Sequence, residues 1–162
     1  MRSTGEVMGW DTSFARAFLK AQMGAGVTLP SSGKVFVSIR DDDKTNKTLE
    51  AAQKLAALEF TFTATRGTQS WLSAAGITCE VVNKVYEGRP NIVDNLKNDE
   101  IALVINTTEG AQAVEDSREI RSVALYGKIP YFTTAAGAQA AALAIEAQVS
   151  DDLAVMSLQG VG

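Results

Sequence analysis

The chain contains no histidine and one cysteine, and its 15 Lys and Arg are outnumbered by 19 Asp and Glu. Without histidine it lacks the side chain used most often near neutral pH as general base and metal ligand. One cysteine forbids a disulfide within the chain and suits a reducing compartment. Cys79 lies in the apolar run ITCEVV, where it reads as a small buried hydrophobe rather than a nucleophile. The net charge of −4 argues against a general binder of nucleic acid or of a membrane surface, because a phosphate array needs a matching excess of cations. A single small anion needs only local charge. No run approaches the roughly 18 apolar residues that span a bilayer, and no signal pattern opens the sequence. No metal or cofactor is expected.

What is present alternates. Apolar runs of β type, KVFVSI, FTFTA, CEVV, IALVI and IPYF, are separated by stretches of helical period. DTSFARAFLKAQMGAG places Phe14, Ala17, Phe18 and Ala21 on one face with Gly24 as a stop, and KTNKTLEAAQKLAAL aligns Leu49, Ala52, Leu55 and Leu58. TQSWLSAAG ends at Gly76, a short helix covers Ile92 to Lys97, EDSREIRSVALYG follows, and GAQAAALAIEAQ closes the series. The last stretch, VSDDLAVMSLQGVG, reads either as a terminal strand or as a frayed tail. Strands and helices at this spacing predict an α/β fold: one doubly wound parallel sheet of five strands with flanking helices, joined by right-handed crossovers. With 162 residues and no repeat or second core, one domain is the simplest reading.

In such a sheet the loops after all the strands open at one edge. There the sequence places Ser38, Arg40, DDD and Lys44; then Thr65, Arg66, Gly67 and Thr68; then Asn83 and Lys84; then Asn106, Thr107 and Thr108; then Thr133 and Thr134. Hydroxyls, amides, helix-start N–H groups and a few cations suit a phosphorylated small molecule, with Gly67 letting the backbone come close to the anion. Each loop also has a plainer reading. Thr and Asn after strands are frequent N-caps and turn formers, lone lysines are solvated charges, and DDD reads as a capping run for the next helix. The coincidence of five polar loops favours a ligand site.

The motifs STGEVMG, TATRGT, VVNKVYEGRPNIVDNLKN, LVINTTEG and EDSREIRSVALYGKIPYFTT, in that order, resemble the C-terminal regulatory portion of the large subunit of carbamoyl phosphate synthetase of the bacterial and plant type. The resemblance covers almost the whole chain. It implies the fold of methylglyoxal synthase, a Rossmann-like sheet, and a fragment of a longer subunit. Residues 1–25 would be a linker and helix from the preceding synthetase domain, 26–148 the effector-binding domain and 149–162 a C-terminal tail. The implied effectors are nucleoside monophosphates, UMP as inhibitor and IMP as competing activator. Carried over by position, phosphate contacts fall on Lys44, Thr65, Gly67, Thr68 and Lys84, with Asn106, Thr107 and Thr108 near ribose and phosphate and Ser38 as a further contact. Tyr131 and Thr133 match the family's ornithine side. Two positions depart from the family pattern: Arg66 stands where relatives often carry His, and Phe132 replaces a polar residue.

The implied partners are the rest of the large subunit and its glutaminase small subunit, in arginine and pyrimidine biosynthesis. The implied location is cytoplasmic, or plastid stroma for a plant protein. Self-association is left open. The alternative is a phospho-sugar lyase resembling methylglyoxal synthase. That enzyme uses aspartates near the ends of the third and fourth strands and a histidine, whereas these neighbourhoods read Asn83-Lys84 and Asn106-Thr107 here. A crevice that holds phosphate without a base binds and does not react.

Overall fold

In a computed structural model, residues 29–84, 88–107 and 114–161 are described, the last with backbone alone for 114–117 and 151–161. The expected helix over 11–26 and the loop residue Thr108 lie outside them. The strands are β1 (Lys34–Ser38), β2 (Thr61–Ala64), β3 (Glu80–Val81), β4 (Leu103–Asn106) and β5 (Tyr131–Phe132). They form one sheet in the order β3-β2-β1-β4-β5 with every pair parallel. The helices are α1 (Asn46–Ala57), α2 (Arg66–Ala74), α3 (Ile92–Lys97), α4 (Val114–Tyr126) and α5 (Ala135–Val161).

Alternation along the central strands creates two cores. Val35 and Val37 of β1, with Leu103 and Ile105 of β4, pack with Leu55 of α1, Leu72 of α2 and the Ala141–Ile145 stretch of α5. Phe36 and Val104, pointing the other way, pack with Ile92, Val93 and Leu96 of α3 and Ile120 and Ala124 of α4. The chain thus winds outward from β1 to β3 with helices on one face, then returns to β4 with helices on the other. The crossovers reverse between β1 and β4, which is where such sheets open a crevice at the strands' carboxyl ends.

Three local expectations are corrected. The inward stripe of α1 is Thr48, Ala51, Ala52 and Leu55, so Leu49 and Leu58 sit at its margin. The cause is α5, whose alanine face forms the most extensive helix contact with α1 and seats small residues between the two. The stretch after 148 is helical and not a strand, since α5 carries on to Val161. A formed helix extends at one hydrogen bond per residue added, and no proline interrupts it. DDD does not cap α1: it makes a 3-10 turn of its own, Asp41–Asp43, and Thr45 is the N-cap.

Gly76 ends α2 as expected, with φ +88° and the Ile77 amide donating back to Leu72 O at 3.0 Å. Glu59, Asp99 and Lys128 take the same left-handed position after α1, α3 and α4 without being glycine. Gly33, before β1, has no such freedom. It has φ +126°, and a Cβ there would stand 2.8 Å from the Ala102 side chain.

Cys79 is half-buried beside the short edge strand, its thiol donating to Glu80 O at 3.5 Å. Burial, with the Glu80 charge beside it, pushes the thiol up to about 11. Only the thiolate is nucleophilic, so alkylation of the folded chain by iodoacetamide at pH 8 is expected to be at least about tenfold slower than in denaturant. Equal rates would mean that Cys79 is exposed and unperturbed in solution.

Candidate functional site

The carboxyl edge of the sheet brings together most of the residues singled out from the sequence. Ser38 ends β1 in register with Asn106 of β4. Ser38 Oγ lies 3.4 Å from Thr65 Oγ1, and Thr65 Oγ1 lies 3.4 Å from Thr68 Oγ1, so three hydroxyls from two loops form a continuous row. Thr68 Oγ1 also accepts the backbone N–H of Ile39 at 2.9 Å. Thr107 Oγ1 accepts the backbone N–H of Arg40 at 3.0 Å, and the Thr107 amide donates to Ser38 O at 2.9 Å. The exit of β1 is therefore pinned on one side by α2 and on the other by β4. Thr68 Oγ1 turns its own proton toward Ile39 O at 3.5 Å, whereas the accepting Thr107 hydroxyl keeps its proton for a further partner.

Thr65 is the N-cap of α2, yet its side chain makes no capping bond. The hydroxyl is drawn sideways into the Ser38–Thr68 row, which leaves the first-turn N–H groups of α2 uncapped by it. Other helices are served differently. Thr45 accepts the Thr48 amide at the start of α1, Asn91 and Asp94 form a capping box on α3, and Thr134 accepts the Gly137 amide on α5 at 2.9 Å. For Thr134 the plainer reading of a strand-end threonine holds.

Over this uncapped turn stands Lys44, 22 residues upstream of Arg66 in a loop that the sheet folds back. A Cβ built on Gly67 would have Lys44 Nζ at 3.6 Å. The ammonium donates to Asp41 Oδ1 at 2.8 Å, and that ammonium holds the Asp41 carboxyl below its usual range. Lys44 is mostly sheltered, at 19% exposure of its side chain, whereas Asp41 is 93% exposed. The two other carboxylates of the turn face Arg40, with Asp42 at 2.9 Å and Asp43 at 3.9 Å. Arg40 and Lys44 thus offset two of the three negative charges of DDD.

On the far side of α2, Arg66 Nη2 donates to Asn83 Oδ1 at 3.1 Å, and Asn83 Nδ2 donates to Pro90 O at 3.1 Å. Lys84, half-buried, follows directly. A cavity of about 380 Å³ opens here among Arg66, Val81, Val82, Asn83, Pro90 and Asn95. A larger one, about 620 Å³, lies near the opposite end of the sheet and includes Phe60, Ile77 and Cys79. Its two charges, Lys34 and Glu80, are 3.2 Å apart and pair with one another, so they present no uncompensated charge to an ionic ligand.

Asn106 is 1% exposed at the end of β4, and its Nδ2 donates to the Tyr131 hydroxyl on β5 at 2.9 Å. Residues expected to serve two separate ligands are thus hydrogen-bonded neighbours. Arg121 of α4 stands 5.6 Å from the centre of the Tyr131 ring. Thr133 is half-buried just beyond β5. The sequence reading missed the Arg66–Asn83 and Asn106–Tyr131 bonds, because both join loops whose proximity depends on strand order. The run of polar residues after each strand was the one signal pointing to them.

Chemically, the crevice can hold an anion between a cation and backbone N–H groups. The nearest carboxylate, Asp41, is held ionised below its usual range, and an anion of such low basicity is a poor proton acceptor near neutral pH. Among the described residues no group of three or more His, Cys, Asp or Glu could hold a metal ion, and no helix is long and apolar enough to cross a membrane.

The family of the MGS-like domain matches residues 47–133, the stretch from the start of α1 to just past β5. The chain is 53% identical over 159 residues to the carbamoyl phosphate synthase large chain of Brucella suis biovar 1 (strain 1330), which covers 98% of this chain and 14% of that relative. To the large chain of Halomonas eurihalina it is 55% identical over 149 residues, and to that of Myxococcus xanthus (strain DK1622) 48% over 159. It spans 14% and 15% of their lengths. The chain belongs to the MGS-like domain family, in the form similar along nearly its whole length to part of carbamoyl phosphate synthase large chains.

Proposed function

We propose that this chain is the effector-binding unit of a carbamoyl phosphate synthase large chain, and that it takes a nucleoside monophosphate such as UMP or IMP by its 5′-phosphate. The observation that carries this reading is Lys44 Nζ standing over Gly67 at the uncapped start of α2. A phosphate there meets a cation, free N–H donors and the Ser38–Thr65–Thr68 hydroxyls together. Lys84 lies at the neighbouring loop, and Asn106 and Thr107 lie where a ribose would extend. Tyr131 and Thr133 would contribute to an ornithine response, with the acidic ligands for the ammonium groups supplied from elsewhere in the large chain. The effector-binding unit would comprise residues 26–148. Bound effector changes synthase activity only by binding its more and less active states unequally, typically by about 1 to 3 kcal/mol.

A phospho-sugar lyase is disfavoured by the amides Asn83 and Asn106 and by the lack of histidine. A melting series and a turnover assay together decide between these readings. A ligand that binds only the folded chain stabilises it by about 2.7 kcal/mol at a hundredfold excess over Kd. UMP or IMP should therefore raise the melting temperature by several degrees, while uridine and ornithine should not. Dihydroxyacetone phosphate should yield no methylglyoxal. Equal shifts for uridine and UMP would remove the phosphate from the crevice, and turnover abolished by Lys44→Ala would make the chain a lyase.

A further inference from the structure

We infer that Arg66 is a positioning residue, acting through Asn83 to hold the Lys84 loop against the first turn of α2. This rests on the phosphate-binding reading above. Asn83 is gripped from three sides: its Oδ1 accepts from Arg66 at 3.1 Å, its Nδ2 donates to Pro90 O at 3.1 Å, and its backbone O accepts the Ile92 amide at 3.1 Å. The two side-chain bonds fix which way the amide faces, since only its oxygen can serve the guanidinium and only its nitrogen the carbonyl. Packing does not supply that order, because the amide borders the cavity of about 380 Å³ and has room to turn. Arg66 is the first residue of α2, next to Gly67, so its reach to Asn83 ties the helix start to the strand exit that carries Lys84. The guanidinium is directed to the β3 side of α2, whereas Lys44 stands over Gly67. Arg66 therefore sets the spacing between the two lysines' loops instead of adding a third contact to the phosphate.

The test combines UMP titration with hydrogen exchange on the ligand-free chain. Arg66→Met and Asn83→Ala should each weaken UMP binding by about fivefold, the scale of one exposed hydrogen bond. The double variant should lose no more than the worse single one. Both should melt within about 2 °C of the parent, as surface changes do, and both should speed exchange of the Ile92 amide. Losses that multiply in the double variant would mean that Arg66 touches the ligand itself, and the positioning role falls. Unchanged Ile92 exchange in Arg66→Met would show that no clamp exists. If the parent chain binds no UMP, the phosphate reading fails, and the exchange measurement still decides the clamp.

Discussion

Alanine at Gly67 is expected to cost the crevice at least tenfold in UMP affinity, about 1.4 kcal/mol, while the ligand-free fold melts no lower than the parent. The two effects have opposite signs because they arise from different states. In the folded chain Gly67 is helical, and the added methyl meets Lys44 Nζ at 3.6 Å, an ordinary contact that strains nothing. Alanine also favours a helix over glycine by up to about 1 kcal/mol, less in a first turn, partly by restricting the unfolded chain. In the complex the same methyl stands between the ammonium and the first-turn amides. A phosphate oxygen needs to come within roughly 2.8 Å of donors on both sides. Lys44→Ala should reach a similar end by another route, losing about 1.5 to 3 kcal/mol of binding with the charge-assisted bond. Its fold should barely change, because the partner Asp41 is 93% exposed and such pairs contribute little. Calorimetry with UMP beside a melting curve measures both quantities. Parental affinity in Gly67→Ala would place the phosphate elsewhere.

Valine at Thr68 or at Thr107 is expected to lower the melting temperature of the ligand-free chain by about 3 to 9 °C. Both hydroxyls are buried, Thr68 at 2% exposure, and each accepts a backbone N–H at the exit of β1, from Ile39 at 2.9 Å and from Arg40 at 3.0 Å. Valine keeps the shape and removes the acceptor, so the buried Ile39 amide or the part-buried Arg40 amide is left unpaired, at a cost of about 1 to 3 kcal/mol, the lower end applying to Arg40. For a domain of this length each kcal/mol moves the midpoint by about 3 °C. Serine keeps the oxygen and should recover most of the loss. Were these threonines solely ligand contacts, valine would weaken UMP binding and leave the unliganded melting curve where it was. Thermal denaturation of the two valine and two serine variants without nucleotide separates these outcomes.

These threonines also mark the limit of local reading. Short apolar runs located every strand and the 3.6 period located the helices that fall on described residues, because both patterns are set by neighbours in the chain. The stop at Gly76 was legible for the same reason: a helix end needs a left-handed residue, and glycine adopts it without strain. Even the gathering of Ser38, Thr65, Thr68, Asn106 and Thr107 at one edge followed from parallel topology alone. Residues shared between elements were less legible. The stripe of α1 turned from Leu49 and Leu58 toward Thr48 and Ala51 because the alanine face of α5 settles on it, a fact of packing between segments about 90 residues apart.

By itself, then, the sequence determined the class of fold, the order of elements, the edge where polar residues collect and the want of a histidine base. The tertiary structure decided the strand order β3-β2-β1-β4-β5, which hydroxyl holds an amide, and which cation stands over the helix start. Lys44 over Gly67, Arg66 on Asn83 and Asn106 on Tyr131 each join loops that are distant in sequence. Their meeting depends on where the crossovers reverse, and no local pattern encodes that point.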